Sequence, residues 1–240
     1  MIVIPMVGAS SRFFKAGYDK PKYQLPLWGE TVFYWVMRSF SRYFNQQPFL
    51  FILRDDYQAR EFVQAEASRL GISDFSIVVL EAMTQGQADT VAQGLREVAD
   101  EEPITIFNID TLRYEFDLPD FVKDSDGYLE VFHGEGDHWS FVRPGDDFTV
   151  LQTTEKDRIS DLCSNGLYHF ASKKLFLSAF ENAIDNDIKS KGEFYVAPLY
   201  NFLVQDGKDI RYLEVSLLNI DFCGTPEEYQ ALVDRGPVVD

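Results

Sequence analysis

Four short apolar runs lie in the first 110 residues, separated by stretches of helical periodicity. They restrict the fold more than any other feature of the chain. Ile2-Val3-Ile4-Pro5-Met6, Phe49–Leu53, Phe75–Leu80 and Ile104–Phe107 read as strands. Between them, residues 31–44, 58–70 and 87–99 read as helices. In the second of these Phe62, Val63, Ala67 and Leu70 share one face, and Gly71 closes the helix. Strand, helix, strand in that order leaves room for the long crossovers that parallel pairing needs. The expectation is a parallel sheet with helices on both faces.

The pattern changes after Asp110. Residues 127–133, 139–143 and 148–154 alternate as antiparallel strands do, with Gly and Asp turns between them. Residues 167–170 form another strand. Helices are expected at 173–185 and 195–205, and strands at 210–216 and 218–222. Thr225-Pro226-Glu227-Glu228 opens a last helix, with Thr as cap, Pro in the first turn and Glu behind it. No repeat, low-complexity tract or linker interrupts the chain. The prediction is therefore one domain over 1–240, with halves 1–110 and 111–240. Its fold class is α/β: a Rossmann-like mixed sheet in a three-layer α/β/α arrangement.

Charge narrows the partners. The chain carries 22 basic and 39 acidic residues, a net −17. Nucleic acid and anionic membranes would repel it. No apolar run is long enough to span a bilayer, and the N-terminus lacks a secretory pattern. Two cysteines, Cys163 and Cys223, make no disulfide framework, so a cytoplasmic location is expected. The 21 Phe and 12 Tyr suggest a dense core and a face for homo-oligomeric association.

Against this acidic background, residues 1–22 hold Arg12, Lys15, Lys20 and Lys22 with only Asp19 opposing them. The segment Gly8-Ala9-Ser10-Ser11-Arg12 follows the first strand. A small-residue turn there lets backbone N–H groups approach a phosphate, and the cations beyond it suit a polyphosphate. The spacing is neither that of a Walker A loop nor that of a dinucleotide fingerprint. In an open α/β sheet, ligands bind at the carboxyl ends of the strands. Asn108-Ile109-Asp110 leaves the fourth strand at that edge, where Asp110 can bind Mg²⁺ or merely cap a turn. Thr84-Gln85-Gly86-Gln87-Ala88 leaves the third strand at the same edge, as a base-facing loop or simply as a helix start. Asp221 reads either as a second metal carboxylate or as a turn residue. His133, Glu135, Asp137 and His138 fit no metal-ligand spacing and read as a hairpin tip.

Taken together and in order, these segments resemble the sugar-1-phosphate nucleotidylyltransferase family, of the type that makes precursors for capsule and surface polysaccharide. The resemblance implies a nucleotide-binding half (1–110) and an acceptor-binding half (111–240). It implies a phosphate loop at Gly8, Ala9, Ser10 and Ser11, with Ser10 where the family usually has Gly. It implies catalytic Arg12 and Lys22, and a base-reading loop at Gln85 and Gly86. It implies acceptor contacts at Glu155, Lys156, Asn165 and Gly166, and Mg²⁺ between Asp110 and Asp221. The partners implied are a nucleoside triphosphate and a phosphorylated small-molecule acceptor, with pyrophosphate released. Two other functions remain open. One is a cytidylyltransferase for a non-sugar phosphate such as phosphocholine, with Phe132, Trp139, Tyr168, Phe194 and Tyr195 as a cage for the ammonium. The other is a nucleotide-binding homologue without catalysis.

Overall fold

The computed structural model describes residues 1–237. Its elements run β1 (Ile2–Pro5), α1 (Ser11–Lys15), β2 (Pro26–Leu27), β3 (Glu30–Thr31), α2 (Val32–Arg38), β4 (Phe49–Leu53), α3 (Ala59–Leu70), β5 (Phe75–Val79), α4 (Gln87–Gly94), β6 (Ile104–Phe107) and β7 (Thr111–Arg113). The second half adds β8 (Gly127–His133), β9 (Ser140–Pro144), β10 (Val150–Glu155), β11 (Leu162–Phe170), α5 (Lys173–Asp185), α6 (Tyr200–Gln205), β12 (Ile210–Glu214), β13 (Ile220–Phe222) and α7 (Pro226–Arg235).

One nine-stranded sheet organises the chain, with a main path β10-β9-β11-β6-β1-β4-β5 and a branch in which β8 pairs with both β11 and β12. The four strands that the first half contributes to this sheet, β1, β4, β5 and β6, are parallel to one another. β11 then joins β6 antiparallel, so the sheet continues unbroken past residue 110. Alternate residues of the central strands feed opposite faces. Ile2, Ile4, Phe49, Phe51 and Leu53 pack with α2, α3 and α7, whereas Val3, Leu50 and Ile52 pack with α4, α5 and α6. This is a mixed sheet between two helical layers. Among the described residues, no helix is long and apolar enough to cross a membrane.

The departures from expectation have local causes. The helix expected over 31–44 stops at Arg38. Thr31 caps its start by accepting from the Tyr34 N–H, but Phe40 turns inward against Phe107 and Phe116, at ring distances of 5.1 and 4.9 Å. That packing outweighs continued helix, and a 3₁₀ turn at Ser41–Tyr43 follows. The helix expected at 87–99 ends at Gly94, a weak helix former. The one expected at 195–205 begins only at Tyr200, because the Phe194 backbone is bonded to Gln85 and Ala88 and Pro198 follows within a 3₁₀ turn. β11 is longer than expected, beginning at Leu162. All nine of its residues are buried, so its composition hides the usual alternation. The short ribbon of β7 and β13 was not expected for residues 111–113. The capping box at Thr225 and Glu228 is present in both directions.

Candidate active site

The carboxyl ends of β1 and β6, together with the loop after β5, surround a cavity of about 540 Å³. β1 delivers Met6–Arg12 to it. The turn pivots at Ser10, whose φ of 49° is left-handed and costly for a residue with a Cβ. Its hydroxyl offsets that cost by accepting from the Lys22 backbone N–H at 3.2 Å. Ser10 therefore ties the phosphate turn to the segment that carries Lys22. Gly8, Ser10, Ser11 and Arg12 all line the cavity, whereas Ala9 does not.

Lys22 Nζ lies 2.5 Å from Asp110 Oδ2, with both side chains 21% exposed. Asp110 is fixed from behind: its carbonyl accepts from the Cys223 N–H at 2.9 Å. Gly224 passes so close that a Cβ there would meet Asp110 Oδ2 at 2.9 Å. The expected partnership of Asp110 with Asp221 is not formed. Asp221 lies on β13 beside Leu112, and it does not line the cavity. Its oxygens accept from Arg235 Nη1 at 2.7 Å, Arg235 Nη2 at 2.5 Å and the Tyr114 hydroxyl at 2.6 Å. Side chains alternate along a strand, so the neighbouring Phe222 takes the cavity-facing position. The further carboxylate at this mouth is Glu228, whose Oε2 accepts from the Thr225 N–H at 2.9 Å.

Opposite the cations, the loop after β5 is zipped to residues 193–195. Phe194 N–H donates to the Gln85 carbonyl at 2.7 Å, and Ala88 N–H donates to the Phe194 carbonyl at 3.1 Å. Gly86 and Gln87 line the cavity, but Gln85 does not, and its backbone N–H is held by Asp89. Of this loop Thr84 also lines the cavity, and the glutamine that does so is Gln87, which donates to Asn108 Oδ1 at 2.6 Å.

The remaining wall comes from β9, β10 and β11. Lys156, at a left-handed φ of 56°, reaches the Tyr195 hydroxyl at 2.5 Å and Glu155 Oε1 at 3.1 Å. Burial pulls the Lys156 ammonium down, but its hydrogen bond to Tyr195 and the nearby Glu155 outweigh this and leave it raised. Glu155 also accepts from the Ser140 hydroxyl. Asn165 and Gly166 line the floor. Asn165 is held from below: Nδ2 donates to Glu130 Oε2 at 2.7 Å, and Oδ1 accepts from the Leu167 N–H at 3.0 Å. Glu130 in turn holds Arg113 in a buried ion pair, with Nε 2.8 Å from Oε2. Gly166 has φ +93°, and any Cβ would collide with the Asn108 side chain. The sequence places Gln87 in the base-facing loop and Tyr195 among the candidate cage aromatics, but it assigns no site role to Asn108 or Glu228. Glu228 was hidden by its capping role.

Among the described residues, no group of three or more His, Cys, Asp or Glu could hold a metal ion. The oxygen chemistry of Asp110 nevertheless suits Mg²⁺, which takes one or two carboxylates together with substrate phosphates and water rather than an all-protein cage.

No protein-family model matches the chain, and neither does any curated protein. Among solved structures, the nucleoside-diphosphate-sugar pyrophosphorylase from Vibrio cholerae is 48% identical, with a TM-score of 0.94 over 98% of this chain and 100% of that one. A putative glucose-1-phosphate thymidylyltransferase from Bacillus anthracis is 15% identical, with a TM-score of 0.78 over 100% of this chain and 96% of that one. An inositol-1-phosphate CTP transferase from T. maritima is 13% identical, with a TM-score of 0.74 over 99% and 97%. These last two share the fold.

Proposed function

Because the chain belongs to the nucleoside-diphosphate-sugar pyrophosphorylases, the sugar-1-phosphate nucleotidyltransferases, we propose that it joins a nucleoside monophosphate from a triphosphate to a sugar phosphate, and that the product is a precursor for capsule or surface polysaccharide. The observation that carries this reading is the convergence of Arg12, Lys22 and Asp110 at one mouth, with Lys156 across the same cavity. In the reaction, a phosphate oxygen of the acceptor forms a bond to the α-phosphorus while the bond from that phosphorus to the bridging oxygen breaks. Pyrophosphate leaves. The attacking oxygen is already anionic, so the task is to overcome repulsion and position two anions.

Arg12 grips the departing pyrophosphate through its planar fork. The Gly8–Ser11 turn offers backbone N–H groups to the β- and γ-phosphates. Lys22 neutralises charge between the α-phosphate and the incoming oxygen. Lys156 anchors the acceptor phosphate, oriented by Tyr195 and Glu155. Gly86 and Gln87 face the base. Asp110 would hold Mg²⁺ together with substrate phosphates; when bound, the ion offsets phosphate charge and shapes the triphosphate.

Pyrophosphate release from each of four nucleoside triphosphates, with Mg²⁺ and a panel of phosphorylated acceptors led by sugar 1-phosphates, tests the reading. Turnover with one pairing is expected. Nucleotide binding with no turnover on any acceptor would instead favour a non-catalytic homologue. The panel includes phosphocholine because Trp139 and Phe222 rings lie 4.8 Å apart on the cavity wall. Of the other candidate cage residues, Phe132 and Phe194 pack in the core, and the Tyr195 ring is already covered by Lys156 at 4.1 Å.

A further inference from the structure

The pairing of Lys22 with Asp110 bears on how a divalent cation enters. A Lys22 Nζ to Asp110 Oδ2 separation of 2.5 Å places a full positive charge where a cation would otherwise sit. Among the described residues, the two carboxylates placed nearest to Asp110 by the sequence and the fold, Asp221 and Glu228, are both engaged. Asp221 is taken by Arg235 and Tyr114, and Glu228 Oε2 is engaged in its helix cap. Gly224 backs Asp110 Oδ2, the oxygen that Lys22 holds: a Cβ there would meet it at 2.9 Å. A hard dication arriving alone would meet a single carboxylate, already neutralised, and would have to shed hydration for it. We infer that Lys22 keeps Asp110 closed to free divalent cation, and that Asp110 accepts the cation only together with the triphosphate. This rests on the nucleotidyl-transfer reading of Asp110.

The geometry supplies the exchange. The Lys22 backbone is fixed by the Ser10 hydroxyl at 3.2 Å, whereas its ammonium rides on a flexible four-carbon stem. Phosphate oxygens delivered by the Gly8–Ser11 turn compete with Asp110 for that ammonium. As Lys22 swings to them, the Asp110 carboxylate is released. One side chain thus serves in sequence as the counterion of the empty site and as the charge on the substrate. The exchange moves no backbone and needs no second acidic ligand.

The test is a Mn²⁺ titration of the intact protein without nucleotide, with free Mn²⁺ read by electron paramagnetic resonance. Thermal melting confirms that each variant is folded. Wild type is expected to bind weakly, and Lys22→Gln and Lys22→Met to bind at least about tenfold more tightly, as removal of an adjacent like charge requires. Adding Asp110→Asn to Lys22→Gln should erase the gain, whereas adding Asp221→Asn should leave it. The inference is overturned if neither Lys22 variant gains affinity, if the gain survives Asp110→Asn, or if it vanishes with Asp221→Asn. Tight binding by wild type that Asp110→Asn abolishes would also overturn it, while leaving Asp110 as the metal residue. An unchanged Mg²⁺ dependence of pyrophosphate release in Asp110→Asn would instead remove the underlying reading.

Discussion

At the scale of single residues, the site is built on close approaches that tolerate little change. Lys22→Ala should lower kcat/KM about a hundredfold or more, as loss of a charge on a developing transition state does. Near-normal turnover measured by pyrophosphate release would remove Lys22 from the chemistry. Ser10→Gly relieves a left-handed φ of 49° but loses the hydroxyl that holds the Lys22 N–H. The two effects oppose, so the melting free energy should change by less than about 1 kcal/mol. KM for the triphosphate should nonetheless rise, because the turn and Lys22 are no longer tied. An unchanged KM would show that the tie is dispensable. Much of this site is legible in the sequence. Gly8, Ser10, Ser11, Arg12, Lys22 and Asp110 are indicated by type and position, Lys156 and Gly166 by the family resemblance, and all of them line one cavity, whereas Ala9 does not. Asp221 misleads because strand register, which decides the face a side chain takes, is set by pairing with Leu112 and not by local spacing.

Secondary-structure elements explain how the floor is held. β7 leads directly from Asp110, and Arg113 on it is clamped by Glu130 of β8, a residue with no exposed surface. Glu130 also carries Asn165 of β11. Glu130→Gln would leave a buried guanidinium short of its counter-charge, and a loss of about 3–5 kcal/mol of stability is expected from chemical denaturation. A shift within experimental error would mean that water or a neighbour takes over. The pair could not be read from sequence, since a Glu within Gly127–His133 resembles any outward strand position. Element types in the first half were legible from periodicity. Helix ends were not, in either half, because Phe40 and Phe194 take their positions from tertiary contacts rather than from helical preference.

Over the molecule as a whole, acid should weaken the fold in part through His169. This ring is buried in β11, bonded to Thr105 Oγ1 at 2.9 Å, and burial, with a smaller push from the N-terminal ammonium, depresses its pKa to about 3. The unfolded chain takes up that proton near pH 6.5 and the native chain does not, so between those values stability falls as pH falls. Between pH 6 and 5, His169→Gln should flatten the pH dependence of unfolding by up to about 1.4 kcal/mol per pH unit relative to wild type. Equal slopes would mean that the native ring is protonated. His133 lies between Asp161 and Glu214, and its raised pKa acts with the opposite sign, but it is common to both proteins and cancels in the difference. The continuity of the sheet across residue 110 has its own outcome. β6 is completed by β11, and α7 returns to the first half, where the Trp28 indole donates to the Leu232 carbonyl at 2.7 Å and the Tyr229 hydroxyl to the Pro26 carbonyl at 2.5 Å. A polypeptide severed in the loop after Arg113 would give two fragments, each with a bare apolar strand edge. Neither should fold by itself, and activity should return only when both are produced together, each acting as the other's template.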